Sequence, residues 1–76
     1  MRIFQEVLEH PVQASRVRLN VFEDTDGYLV TEARIGTVTV VATLGLFGTR
    51  DQALARAQKR IHELEAQLYR TVTKAA

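Results

Sequence analysis

From Arg16 the chain alternates in period two: Val17, Leu19 and Val21 are apolar at odd positions, with Arg16, Arg18, Asn20 and then Phe22 between them. Such alternation marks a strand with one dry and one wet face. Glu23-Asp24-Thr25-Asp26-Gly27 reads as a hairpin loop in which Gly27 can take positive φ. The pattern resumes at Tyr28 and runs to Leu44. At ~3.3 Å per residue one strand of that length would span roughly 56 Å, too long for so small a domain. A turn at Ile35-Gly36 is therefore expected, which makes residues 16–44 a three-stranded antiparallel meander.

The C-terminal third has a different period. Leu54, Ala57, Ile61, Leu64 and Leu68 recur at spacings of three and four, the apolar stripe of a helix. Thr49-Arg50-Asp51-Gln52 has the form of a capping box, and Asp51 suits the positive end of the helix dipole. A helix over 50–71 is predicted, with 72–76 as a frayed tail. Arg56, Lys59, Arg60, Glu63 and Arg70 fall on its opposite, solvated side. The segment before Pro11 is ambiguous. Ile3, Phe4, Val7 and Leu8 have helical spacing, but the segment is short and uncapped, so residues 1–11 form either a helix or a strand closing one sheet edge.

The expected architecture is α+β: a three- to four-stranded antiparallel sheet with one long C-terminal helix packed on one face, in a single domain over 1–76. With 76 residues there is room for one core only. No apolar run approaches the ~18 residues of a membrane span, and the first residues do not fit a secretory leader. The absence of Cys removes thiolate and disulfide chemistry and fits a reducing compartment, so a cytoplasmic protein with no membrane partner is expected. Ten basic against nine acidic residues give a net charge of only +1, less basic than a dedicated nucleic-acid binder usually is.

Candidate chemistry is sparse. Ser15 is the sole Ser, and His10 and His62 belong to different elements, so nucleophile, base and orienting group are not evidently assembled. No enzyme activity, metal or cofactor is expected. Glu23, Asp24 and Asp26 are faintly like a calcium loop, but the twelfth position counted from Asp24 is Ile35, where a Glu is required. Gly45-Leu46-Phe47-Gly48 has the letters of a KH-type loop without its basic residues or flanking helices; apolar anchoring under the helix start is the better reading.

The outer sheet face is more informative. If Val17, Leu19, Val21, Leu29, Ala33, Val38, Val40 and Ala42 face the helix, the other parity exposes Arg16, Arg18, Phe22, Tyr28, Val30, Arg34 and Val41 among Thr37, Thr39 and Thr43. Aromatic rings interleaved with Arg make a stacking platform for unpaired bases. Phe22, Tyr28, Val30 and Val41 alternatively make an apolar patch for a second copy or another protein. In either case Phe22 and Tyr28 are expected as cross-strand neighbours.

Gly27-Tyr28-Leu29-Val30-Thr31-Glu32, followed by Arg34-Ile35-Gly36-Thr37, resembles the centre of the WGR domain, where an aromatic strand runs into Trp-Gly-Arg-Ile-Gly. Phe47, Thr49 and Ala53 are similar to that family's Phe-x-Ser/Thr ahead of a helical Ala, and Ile61, Glu63 and Tyr69 to the pattern that ends its helix. The resemblance covers about two thirds of the chain. It implies a sheet-plus-helix module, and in the polymerases that carry it the domain contacts DNA partly through its Trp and Arg. Here the Trp is absent, with Ala33 before Arg34, so only Arg34 carries over. A weaker resemblance is to the HicB-type antitoxin fold, through Thr49 and Ala53. Double-stranded-RNA-binding domains share the layout but not the Lys-Lys-x-Ala-Lys helix start. The expectation is a non-enzymatic binding module that binds DNA or RNA weakly through Arg16, Arg18, Tyr28 and Arg34. The alternative is a homodimerisation or protein-interaction module using the same face.

Overall fold

In a computed structural model that describes residues 1–75, the chain forms one five-stranded antiparallel sheet and one helix. The strands are β1 (Arg2–Glu9), β2 (Arg16–Asp24), β3 (Gly27–Ile35), β4 (Thr39–Phe47) and β5 (Arg70–Ala75), and the helix α1 spans Arg50–Ala66. Their order in the sheet is β4-β3-β2-β1-β5. The α+β class and the meander agree with the pattern reading, and the turn between β3 and β4 falls at 36–38. The strand count is one higher than the three to four expected. The N-terminal segment takes the strand alternative, but lies between β2 and β5 rather than at an edge, and the C-terminal tail supplies the fifth strand.

The helix starts where its cap demands. Thr49 is extended, at φ −129° and ψ 153°, and its hydroxyl accepts the Gln52 amide at 3.2 Å. It stops five residues short of the expected 71. The Leu68 amide donates to the Glu65 carbonyl at 3.0 Å and the Tyr69 amide to the Leu64 carbonyl at 3.0 Å. This is a Schellman closure, with Leu68 in the left-handed position at φ +76° that Gly normally fills. The closure leaves Leu68 64% exposed rather than in the core stripe and turns Tyr69 inward against Leu64 and Ile61. Residues 70–75, expected as a frayed tail, then run beside β1.

The core lies between helix and sheet. Leu8, Val17, Leu19, Ile61, Leu64 and Tyr69 form one buried cluster, and Val21, Val30, Ala53 and Ala57 the other, with Phe4 and Leu44 packed against both. Each fully buried Leu, Val or Ile adds roughly 1.5–3 kcal/mol relative to exposure. Val17, Leu19 and Val21 are dry and Arg16 is wet, as the alternation of β2 requires.

In β3 the expected parity is reversed. Asp24 pairs with Gly27 across a tight turn of Thr25 and Asp26, so Val21 lies opposite Val30, Leu19 opposite Glu32 and Val17 opposite Arg34. Tyr28, Val30, Glu32 and Arg34 therefore face the helix side, while Leu29, Thr31, Ala33 and Ile35 face outward. The expected pairing of Phe22 with Tyr28 presupposed an odd-numbered loop. The tight turn shifts the register by one residue, which moves every β3 side chain to the other face. Phe22 instead faces Leu29, and Tyr28 faces Glu23. Gly27 takes φ +135°, and a β-carbon there would lie 2.5 Å from the Phe47 carbonyl oxygen, so no other residue fits the turn.

In β4 the expected parity holds, but burial does not follow. Val40 lies opposite Arg34 and Ala42 opposite Glu32 on the helix side, yet Val38 is 72% and Val40 60% exposed. The apolar contacts of the helix reach β4 at Leu44 and Phe47, near the strand's C-terminal end. A register shift between Val30 and Thr31 leaves Leu44 as the extra residue and aims it into the core.

Candidate functional site

Among the described residues no element covers the outer face of the sheet, and the ladder registers fix what it displays. Four rows cross it. The first is Arg2, Phe22, Leu29 and Leu46; the second is Gln5, Asn20, Thr31 and Thr43. The third is Thr73, Val7, Arg18, Ala33 and Val41, and the fourth is Arg70, Glu9, Arg16, Ile35 and Thr39. Asn20, Thr31 and Ala33 are buried even so, because their short side chains sit between rows of larger ones.

The face thus divides along β2. Towards β1 and β5 it carries Arg2, Arg16, Arg18 and Arg70, with Glu9 the one acidic residue in these rows. Glu9 and Arg16 form an ion pair. Towards β4 it carries Phe22, Leu29, Ala33, Ile35, Val41 and Leu46. Val41 is 64% and Leu46 56% exposed.

Neither residue set expected from the sequence is assembled. Arg16 and Arg18 are on the outer face. Tyr28 and Arg34 are on the helix side, at opposite ends of β3. Of the alternative set, Phe22 and Val41 are on the outer face, whereas Val30 is fully buried beneath the helix and Tyr28 faces away. Sequence reasoning missed Leu29 and Leu46, which the tight-turn register would have placed beside Phe22.

The charged groups on the helix side are engaged structurally. Arg60 donates to both carboxylate oxygens of Glu32, Nε to Oε1 at 2.5 Å and Nη2 to Oε2 at 3.2 Å, and also to Glu63 at 3.3 Å. The hydrogen bond to Glu32 holds the Arg60 guanidinium above its ordinary pKa despite partial burial. Arg60, expected in solvent, is therefore the counter-ion of a buried strand acid. Arg34 adds a 3.6 Å contact to the same carboxylate. Glu6, also buried, accepts from the Thr71 hydroxyl at 2.6 Å. The Tyr28 hydroxyl donates to Glu23 at 3.0 Å, and that bond together with the neighbouring negative charge raises the phenol's pKa.

The remaining polar candidates serve turns and packing. The Ser15 hydroxyl hydrogen-bonds the Tyr69 hydroxyl at 2.8 Å, and the His10 ring stands edge-on to Tyr69 at 5.2 Å. His10 Nδ1 accepts the amides of Val12 and Gln13, which fixes it as a loop acceptor. His62 contacts Gln58 on the exposed side of the helix. Asp24 accepts from Thr25 within the hairpin turn. Among the described residues no three His, Asp or Glu side chains are placed to hold a metal ion. Gly45-Leu46-Phe47-Gly48 begins in β4 rather than between helices. Phe47 anchors the helix start as expected, but Leu46 is on the outer face. No helix of the described chain is long and apolar enough to cross a membrane.

Compared with known proteins, the chain matches no family model, and no curated protein or solved structure is significantly similar to it.

Proposed function

We propose that the chain is a non-enzymatic interaction module whose working surface is the uncovered sheet face, and that its apolar half receives another protein surface. The observation that carries this reading is the adjacent apolar row of Phe22, Leu29 and Leu46, with Val41 beyond the Asn20, Thr31 and Thr43 row, on a face that no element covers among the described residues. A contiguous apolar surface on a small domain marks an interaction site. The ionic and hydroxyl groups elsewhere are occupied in holding β3, β5 and the loops, which supports binding over catalysis. The test replaces Phe22 with a photo-crosslinking phenylalanine analogue in the expressing cell, with the same analogue at His62 as the control. Protein adducts at position 22, absent at 62 and lost when Leu29→Asp and Leu46→Asp are added, support the reading. Equal adducts at both positions reject it.

A second reading is favoured by the other half of the face, where Arg2, Arg16, Arg18 and Arg70 stand with one acid. There the module binds nucleic acid weakly, as the WGR resemblance also implies, but through Arg16 and Arg18 rather than Tyr28 and Arg34. Titration with single-stranded and duplex oligonucleotides at low and moderate salt separates the two readings. A salt-dependent affinity that falls in Arg18→Glu supports this reading. No response at ~50 mM salt, where a few phosphate contacts still hold, rejects it.

A further inference from the structure

The two edges of the sheet are built differently. The β5 edge is six residues long and carries Arg70 and Lys74. The β4 edge is nine residues long, and the segment 35–49 around it contains no charged residue and no Pro. Natural edge strands are blunted by charge, Pro, shortness or bulges; β5 has two of these protections, while β4 has only the bulge at Leu44, beyond its regular stretch 39–43. On β4, about half of the backbone N–H and C=O groups point away from β3 with no strand beside them. Its side chains are exposed on both faces: Val40 on the helix side, Val41 and Leu46 on the outer side.

We propose that β4 pairs antiparallel with β4 of a second copy of this chain, joining two five-stranded sheets into one continuous sheet of ten. Self-pairing suits this edge for three reasons. Two-fold symmetry places equivalent faces on the same side, so a register centred on Val41 sets Thr39 opposite Thr43 and Val40 opposite Ala42, with no like charges facing each other. The nearest charged residue, Arg34, stands on β3 opposite Val40, one strand behind the edge, so its copy is three strand spacings away, about 14 Å. The dimer is closed, because its two free edges are both β5, guarded by Arg70 and Lys74, and no third copy is recruited. Centred on Val41, the five residues 39–43 pair and give about 17 Å of ladder at ~3.4 Å each, a small interface, so the dimer is weak and reversible. Edge pairing does not depend on the outer face binding anything, and it sets two such faces side by side.

The test is solution mass by light scattering from about 10 µM to about 1 mM, the range in which a small interface saturates. The mass should rise from 8.6 kDa towards twice that value. Val40 is exposed on the helix side, so Val40→Glu leaves both the fold and the outer face intact and should weaken dimerisation severalfold, because the two carboxylates become diagonal neighbours across the seam. Mixing Val40→Glu with Val40→Lys should restore the dimer, an outcome that loss of folding would not give. Phe22→Ser should leave it unchanged. A wild-type mass of 8.6 kDa throughout overturns the proposal. A dimer abolished by Phe22→Ser but not by Val40→Glu also overturns it, and would assign self-association to the open face instead.

Discussion

Leu68 offers a sharp energetic test of how the chain leaves its helix. The residue holds φ +76°, and a side chain with a β-carbon pays roughly 1–2 kcal/mol for that conformation. Its side chain is 64% exposed, so truncation removes little burial, and removes nearly the same amount in Leu68→Gly as in Leu68→Ala. The comparison of these two variants therefore isolates the backbone. Gly relieves the left-handed strain but carries about 0.4–1 kcal/mol more unfolded-state entropy than Ala. The Gly variant should be the more stable by about 1 kcal/mol. Were residue 68 inside a helix continuing to 71, the order would reverse, with Ala ahead of Gly by about 1 kcal/mol. The two structures thus differ by about 2 kcal/mol in one measurement, several degrees of melting temperature in a domain of this size. Urea or thermal denaturation followed by circular dichroism reads it. A Leu68→Ala variant more stable than Leu68→Gly by about 1 kcal/mol would refute the Schellman closure and the fifth strand that depends on it.

Three further outcomes follow from the same contacts. Arg60→Ala leaves the buried Glu32 carboxylate with only the 3.6 Å contact to Arg34, and denaturation should register a loss of about 3 kcal/mol or more. Thr71→Val removes the donor to buried Glu6 at nearly constant shape, which should cost about 1–3 kcal/mol and loosen β5 in amide exchange. Tyr28 should ionise above the ordinary phenol value of 10.0 in an ultraviolet pH titration, and Glu23→Gln should bring it back down. Because its folded pKa is raised, the stability linked to Tyr28 is fully present below the unfolded value. It is lost as pH climbs through the folded one.

The helix start, the alternation of β2 and the hairpin at Gly27 were legible because each has a local cause: a capping hydroxyl, a period of two, a residue free to take positive φ. The face of β3 was not, because it depends on whether the loop holds an even or odd number of residues. The acidic run 23–27 hides that count, and β2 pairing extends through Asp24. Glu32 added to the error. A lone strand acid reads as solvent-facing, and only Arg60, 28 residues away, makes its burial tolerable. The end of the helix was obscured in the same way, since Leu68 carries an apolar stripe past the point where a Gly would have announced a stop. The β-branched run Thr71-Val72-Thr73 was the available signal for β5. As for the candidate site, its Arg16, Arg18, Phe22 and Val41 were legible through alternation. Leu29 and Leu46 became visible only with the register.

The apolar half of the open face exists only if Leu29, and not Val30, points away from the helix. The chain has no Cys, so a single introduced thiol reports its own surroundings. Under native conditions a thiol at position 29 should react readily with an alkylating reagent. One at position 30, in the core between Val21 and Ala57, should react at least about a hundredfold more slowly, waiting on opening of the sheet. A reactive thiol at 30 beside a protected one at 29 would place the opposite set of residues on the open face and contradict the account.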